Sequence, residues 1–147
     1  MEDLWPEVKG ESPHTAPVTI LREQAALLAE KTGHLVEARV ERVERAAKEE
    51  LMGEAARPGH FRFSFFLVAP RLENYRYRLF HMHHDYNLYP VILYADEDVK
   101  AEVRPGGEEG ILAETETEFR EALRSVFSAG KTTKILQALI AQSPKEA

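Results

Sequence analysis

A chain of 147 residues with 44% apolar and 30% charged side chains can bury a self-sufficient core, since folding at this size hides roughly 70% of the unfolded surface. The absence of cysteine excludes disulfides, thiolate metal sites and cysteine nucleophiles. A net charge of −6 disfavours general nucleic-acid binding, because phosphates repel an acidic surface.

Residues 1 to 14 read as a loosely held arm carrying the single tryptophan, Trp5. Its acidic start is not that of a signal or transit peptide, and no segment is apolar enough to span a bilayer, so a cytoplasmic location is expected. Residues 15 to 143 read as one domain and 144 to 147 as a tail. A helix is expected from Pro17 to Thr32. Proline suits a first helical turn, Ile20, Gln24, Leu27, Leu28 and Lys31 trace one stripe, and Gly33 supplies a left-handed end.

Beyond it, Val36, Ala38 and Val40 alternate with Glu37, Arg39 and Glu41, as in a strand. Val36, Val40, Val43, Ala47 and Leu51 equally mark one helical face. A strand over Leu35 to Val43 is favoured, because the preceding helix ends cleanly and the sheet that follows wants an edge partner. The charge-rich tract from Glu44 to Gly59 then becomes a long hairpin connection able to carry a helical turn.

Three strand-like runs follow: Phe61 to Ala69, Tyr75 to His84 and Pro90 to Ala95. The connections Pro70 to Asn74 and Asp85 to Tyr89 are too short for parallel crossovers, so the runs form an antiparallel meander. Phe61, Phe63, Phe65 and Leu67 make the better core face of the first run, and Val91, Leu93 and Ala95 oppose Ile92, Tyr94 and Asp96 in the third. Strict alternation in the middle run puts Arg76 and Arg78 with Phe80, and Tyr75 and Tyr77 on the other side. Val99, Ala101 and Val103 alternate with Lys100, Glu102 and Arg104, which predicts a fifth, shorter strand.

Thr115 and Glu118 form a capping box ahead of Phe119, Leu123, Val126 and Phe127. Gly130 is expected to end that helix, Thr132 or Thr133 to start another with Ile135, Leu136, Leu139 and Ile140, and Pro144 to stop it. The expected fold is α+β: an antiparallel meander sheet of four or five strands, one helix before it and two after.

The chemistry-bearing residues gather in the meander. His81, His83 and Asp85 stand at alternate positions, as divalent transition-metal ligands on one strand face would, with His60, His14 or His34 as candidate completions. His84 points the other way. The spacing His81-x-His83-x-Asp85 resembles part of the H-x-H-x-D-H signature of the metallo-β-lactamase family. The resemblance covers five residues, Tyr86 replaces the last histidine, and the chain is too short for that fold, so membership is excluded.

Ser125 to Thr132 has the ending of a phosphate-binding loop, but Ser125 stands at the first glycine position and a helix precedes it, so nucleotide binding there is not expected. Between Arg57 and His84 there are five arginines against one acid, Glu73, a local charge of +4 that leaves −10 for the rest. Arg62, Arg76 and Arg78 with Tyr75 and Tyr77 form a basic-aromatic strip suited to an acidic protein segment, a symmetric dimer or single-stranded nucleic acid. Overall acidity weighs against nucleic acid. No triad or poised acid–base pair is legible. The leading expectation is a non-enzymatic interaction or adaptor domain that binds a protein partner or itself as a homodimer and needs no cofactor. A metal-dependent activity at His81, His83 and Asp85 is the alternative.

Overall fold

The computed structural model describes residues 1–10, 12–43, 61–104 and 110–144. Helix α1 spans Pro17–Lys31, with proline in its first turn where a missing N–H costs nothing. Its end is a Schellman motif. His34 N donates to Ala29 O at 2.8 Å and Gly33 N to Glu30 O at 3.3 Å, while Gly33 takes φ of 58°, a conformation that glycine adopts without steric cost.

The chain then enters a five-stranded antiparallel sheet whose strand order follows the sequence: β1 (Glu37–Arg42), β2 (Phe61–Ala69), β3 (Tyr75–His84), β4 (Val91–Ala95) and β5 (Ile111–Ala113). The α+β meander expected from the pattern is the observed fold, and the ambiguous run after α1 is a strand. The tract expected to connect β1 and β2 lies outside the described residues.

The β2–β3 connection closes on a tight turn in which Tyr75 N donates to Leu72 O at 3.0 Å. Glu73 and Asn74 both adopt positive φ, 57° and 58°, the signature of a type I′ turn matched to the twist of a hairpin. The β3–β4 connection contains Leu88 at φ 73° and a cis Tyr89–Pro90 peptide bond.

The stretch read as a fifth strand is instead helix α2 (Glu97–Val103). Asp96 caps it by accepting from the amide of Asp98 at 2.9 Å, and Glu97 and Asp98 place negative charge at its positive end. Val99 and Val103 also stand i, i+4, and Val99 is fully buried, so the helical period wins over the two-residue one. The fifth strand exists later, as β5.

Helix α3 (Glu116–Ser128) begins where the capping box put it, with Thr115 Oγ1 accepting from Glu118 N at 3.1 Å. Gly130 does not end it. The break falls at Ala129, and Gly130 opens helix α4 (Gly130–Gln142). The reason is a carboxylate from another element: Glu102 of α2 accepts from Gly130 N at 2.7 Å, so α4 starts two residues before its threonines.

All four described helices share one core with one face of the sheet. Ile20 and Leu21 of α1, Val99 of α2, Phe119, Leu123 and Val126 of α3 and Leu139 of α4 pack with Phe63, Phe65, Leu67, Phe80, Met82, Leu93 and Ile111. At its centre Phe65 stacks on Phe80 across the strands, with ring centroids 5.1 Å apart, and Phe127 tilts over both. Each fully buried phenylalanine contributes roughly 2–3 kcal/mol. The core side chains of β2, β4 and β5 lie on this face, as strand periodicity requires.

One irregularity decides what the other face carries. In the β2–β3 ladder Phe65 pairs with Phe80 but Phe66 pairs with Arg78, which leaves Leu79 as an extra residue in β3. This β-bulge inverts the alternation on either side of it. Arg76 and Arg78 therefore do not share a face with Phe80. They lie opposite the core with His81 and His83, while Tyr75 and Tyr77 face the helices. Leu79, like Phe80, is buried.

Candidate functional site on the open sheet face

The sheet face opposite the helices carries Arg39 and Glu41 from β1, Arg62, Ser64, Phe66 and Val68 from β2, Arg76, Arg78, His81 and His83 from β3, and Ile92 and Tyr94 from β4. Phe66, Ile92 and Tyr94 lie outside the core cluster, whereas Val68 and Ser64 on this face are buried. Five of the chemistry-bearing residues singled out in the sequence (Arg62, Arg76, Arg78, His81 and His83) thus converge on one surface. Tyr75 and Tyr77 do not join them. Tyr75 lines a hollow against α4, and Tyr77 donates to Asp96 Oδ2 at 2.6 Å.

Three rings form the middle of the patch. His81 lies opposite Tyr94 in the β3–β4 ladder and stacks on it at 5.0 Å, while His83 meets Tyr94 at 4.8 Å and His81 at 5.0 Å. His81 titrates below the ordinary imidazole range. Half-burial is the larger cause, and the positive charges of Arg78 and Arg62 add to it. At neutral pH it is therefore an uncharged donor and acceptor beside fixed cations.

Arg76 straps the adjacent strand. Its guanidinium sits 3.8 Å from the centroid of Phe66 and reaches Glu41 Oε1 at 2.9 Å, a cation–π contact closed by an exposed ion pair. Arg78 is exposed and makes no ion pair with any described carboxylate. Arg39 of β1, on the same face, is likewise exposed and without an ion pair to a described carboxylate, so these two charges are offered to an outside partner.

The proposed metal ligands are only partly assembled. His81 and His83 are neighbours, but Asp85 has left the strand, is exposed, and accepts from the amide of Asn87 at 3.0 Å. His34 is paired with Glu37 at 3.4 Å, His14 lies in the exposed N-terminal segment, and His60 falls outside the described residues. Among the described residues no group of three or more histidine, aspartate or glutamate side chains is placed to hold a metal ion. His84, on the core side as its parity required, stacks on Phe61 and Phe63, with Nδ1 2.8 Å from Asp85 O.

A second polar centre went unread in the sequence. Asp96 collects the hydroxyl of Tyr77, the ammonium of Lys131 at 2.8 Å and the amide of Asp98. Burial pushes its carboxyl up, but these three donors outweigh burial and hold it down at about 2. Lys131, which also reaches Asp98 at 3.1 Å, is raised by the same hydrogen bonds. The turn that superficially resembled a phosphate loop is thus occupied by this protein's own carboxylates: Glu102 on Gly130 N, and Asp96 and Asp98 on Lys131.

No helix of the described residues is long and apolar enough to cross a membrane. Comparison with protein-family models, with curated proteins and with solved structures finds no match for this chain.

Proposed function

We propose that this chain is a non-enzymatic protein-interaction domain that receives an acidic segment of a partner protein, a second copy of itself included, on the open face of its sheet. The observation that carries this reading is the placement of Arg78, exposed and without an ion pair among the described residues, beside Arg76, His81 and His83 on a face where Phe66, Ile92 and Tyr94 lie outside the core cluster. A cationic rim around aromatic area is what a polar, steered interface uses. The neutral His81 adds responsiveness, because a bound carboxylate would favour its protonated form.

The test is affinity capture with the full chain as bait, beside sedimentation velocity, for the wild type and Arg78→Glu. Arg78 is exposed, so the substitution leaves thermal stability within about 0.5 kcal/mol. The expected result is a partner or a dimer that dissociates with added salt and is lost in Arg78→Glu. A strict monomer whose captured proteins are the same for both chains overturns the proposal. Salt-sensitive binding to a single-stranded oligonucleotide, abolished by the same substitution, would reassign the face to nucleic acid.

A further inference from the structure

On the helical side of the molecule two clefts meet, and neither belongs to the sheet face. The first, about 160 Å³, lies between α1, α4 and the sheet, with Leu28, Phe65, Leu79, Phe127 and Leu136 in its wall. Leu27 lies at its edge with 46% of its surface exposed. The second, about 240 Å³, lies between α1 and α3 and is lined by Arg120, Arg124 and Ser128 as well as apolar residues. Gln24 and Phe127 line both and so stand at their junction.

The chemistry of the two spaces differs in a directed way. The first is lined mostly by hydrocarbon, with Lys31 and Thr132 also in its wall, and its volume is close to the roughly 150 Å³ that admits a benzene ring in an engineered apolar cavity. The second gathers donors whose capacity is unspent. Arg120 is paired with Glu116 at 3.1 Å, but Gln24, Arg124 and Ser128 make no side-chain hydrogen bond or ion pair with any described residue. A guanidinium, an amide and a hydroxyl around one opening match the two oxygens of a carboxylate.

We infer that these clefts form one binding site for a small amphipathic carboxylate, a single aromatic ring or short acyl chain filling the apolar cleft and its acid group held by Arg124, Gln24 and Ser128. The site is independent of the open sheet face, and neither proposal needs the other.

The probes are phenylacetate and hexanoate, with phenylacetamide and hexanol as uncharged counterparts, titrated into the full-length protein by amide chemical-shift NMR. Saturable shifts at Gln24, Leu28 and Phe127 are expected, with a dissociation constant of about 1 mM or tighter, the range fragments of this size reach. The uncharged counterparts bind about tenfold more weakly, and Arg124→Gln, an exposed change that leaves folding intact, weakens the acids by a similar factor. Leu136→Trp fills the apolar cleft and removes binding of both acids. Absence of saturable shifts up to about 10 mM, equal affinity for acid and amide, or full affinity in Arg124→Gln each overturns the assignment.

Discussion

Arg78 and His81 stand three positions apart on one strand, yet both project from the same side of the sheet, near enough that the guanidinium, after burial, helps keep the imidazole uncharged. Residues an odd number apart belong on opposite sides of a regular strand. The two meet because Leu79 is an extra residue, tucked with Phe80 into the core. Leu79 therefore anchors the bulge as well as filling space.

Leu79→Ala should cost about 3 kcal/mol, measured by urea unfolding, in the range for truncating a fully buried leucine. Deleting Leu79 altogether is a harsher change. It restores regular alternation and drives Arg76 and Arg78 toward the helices, so loss of cooperative unfolding is expected. A deletion variant with a wild-type melting curve would show that the bulge does not set the faces.

The Asp96 centre ties β3, α2 and α4 together, and it should be visible in acid. Its carboxyl ordinarily titrates at 3.8 and is held at about 2 in the folded chain. As pH falls the unfolded chain takes up that proton first. The stabilisation is complete above pH 3.8 and is lost as pH drops through about 2. Asp96→Asn should lower stability near neutrality by about 1 kcal/mol, since the hydrogen bonds from Tyr77 and Lys131 lose their charge assistance while asparagine still caps the helix. Its stability should also fall less steeply than the wild type's within that acid window, as read by chemical denaturation across pH.

His84 gives a second, milder pH dependence. It is 7% exposed, and burial holds its titration below the ordinary 6.5 although the carbonyl of Asp85 pulls the other way. A proton refused by the folded state and accepted by the unfolded one makes stability decline as pH falls below 6.5. Its Nε2 is buried without a hydrogen-bond partner among the described residues. His84→Phe keeps the stacking on Phe61 and Phe63 and removes both the orphan nitrogen and its titration. Unfolding at about pH 7.5 and about pH 5 should then give a smaller difference than in the wild type, with the remaining slope owed partly to His81.

The β2–β3 turn is open to improvement. Asn74 holds φ 58°, where glycine carries no Cβ penalty and is the favoured second residue of a type I′ pair. Asn74→Gly should stabilise by about 0.5 kcal/mol, which for a domain of this size raises Tm by about 1–2 °C. A lowered Tm would mean that the asparagine side chain contributes more than its backbone conformation costs.

Much of the fold was legible in the chain itself. Alternation along Phe61–Ala69 and Val91–Ala95, the short connections between strands, and the box from Thr115 to Glu118 are local signals, and local signals read directly from sequence. The run from Val99 to Val103 misled because alternating valine and alanine also satisfies i, i+4. The arbiter was Asp96, whose side chain caps a helix. The bulge had a trace as well, in the adjacent apolar pair Leu79-Phe80 that interrupts Tyr-Arg-Tyr-Arg. Nothing local, however, distinguished a bulge from a strand buried on both faces.

By itself the chain determined that strands run up and down beside one another, with one helix before them and two after, since periodicity and loop length are properties of neighbouring residues. Only the tertiary structure decided which charged residues stand together. Arg78 joins His81 through one unpaired residue, Lys131 finds Asp96 across 35 positions, and the stripe from Gln24 to Lys31 becomes the wall of a cleft because α3 and α4 close over it. Those meetings depend on how packed layers settle against each other, an energy summed over the whole core and written at no single place along the chain.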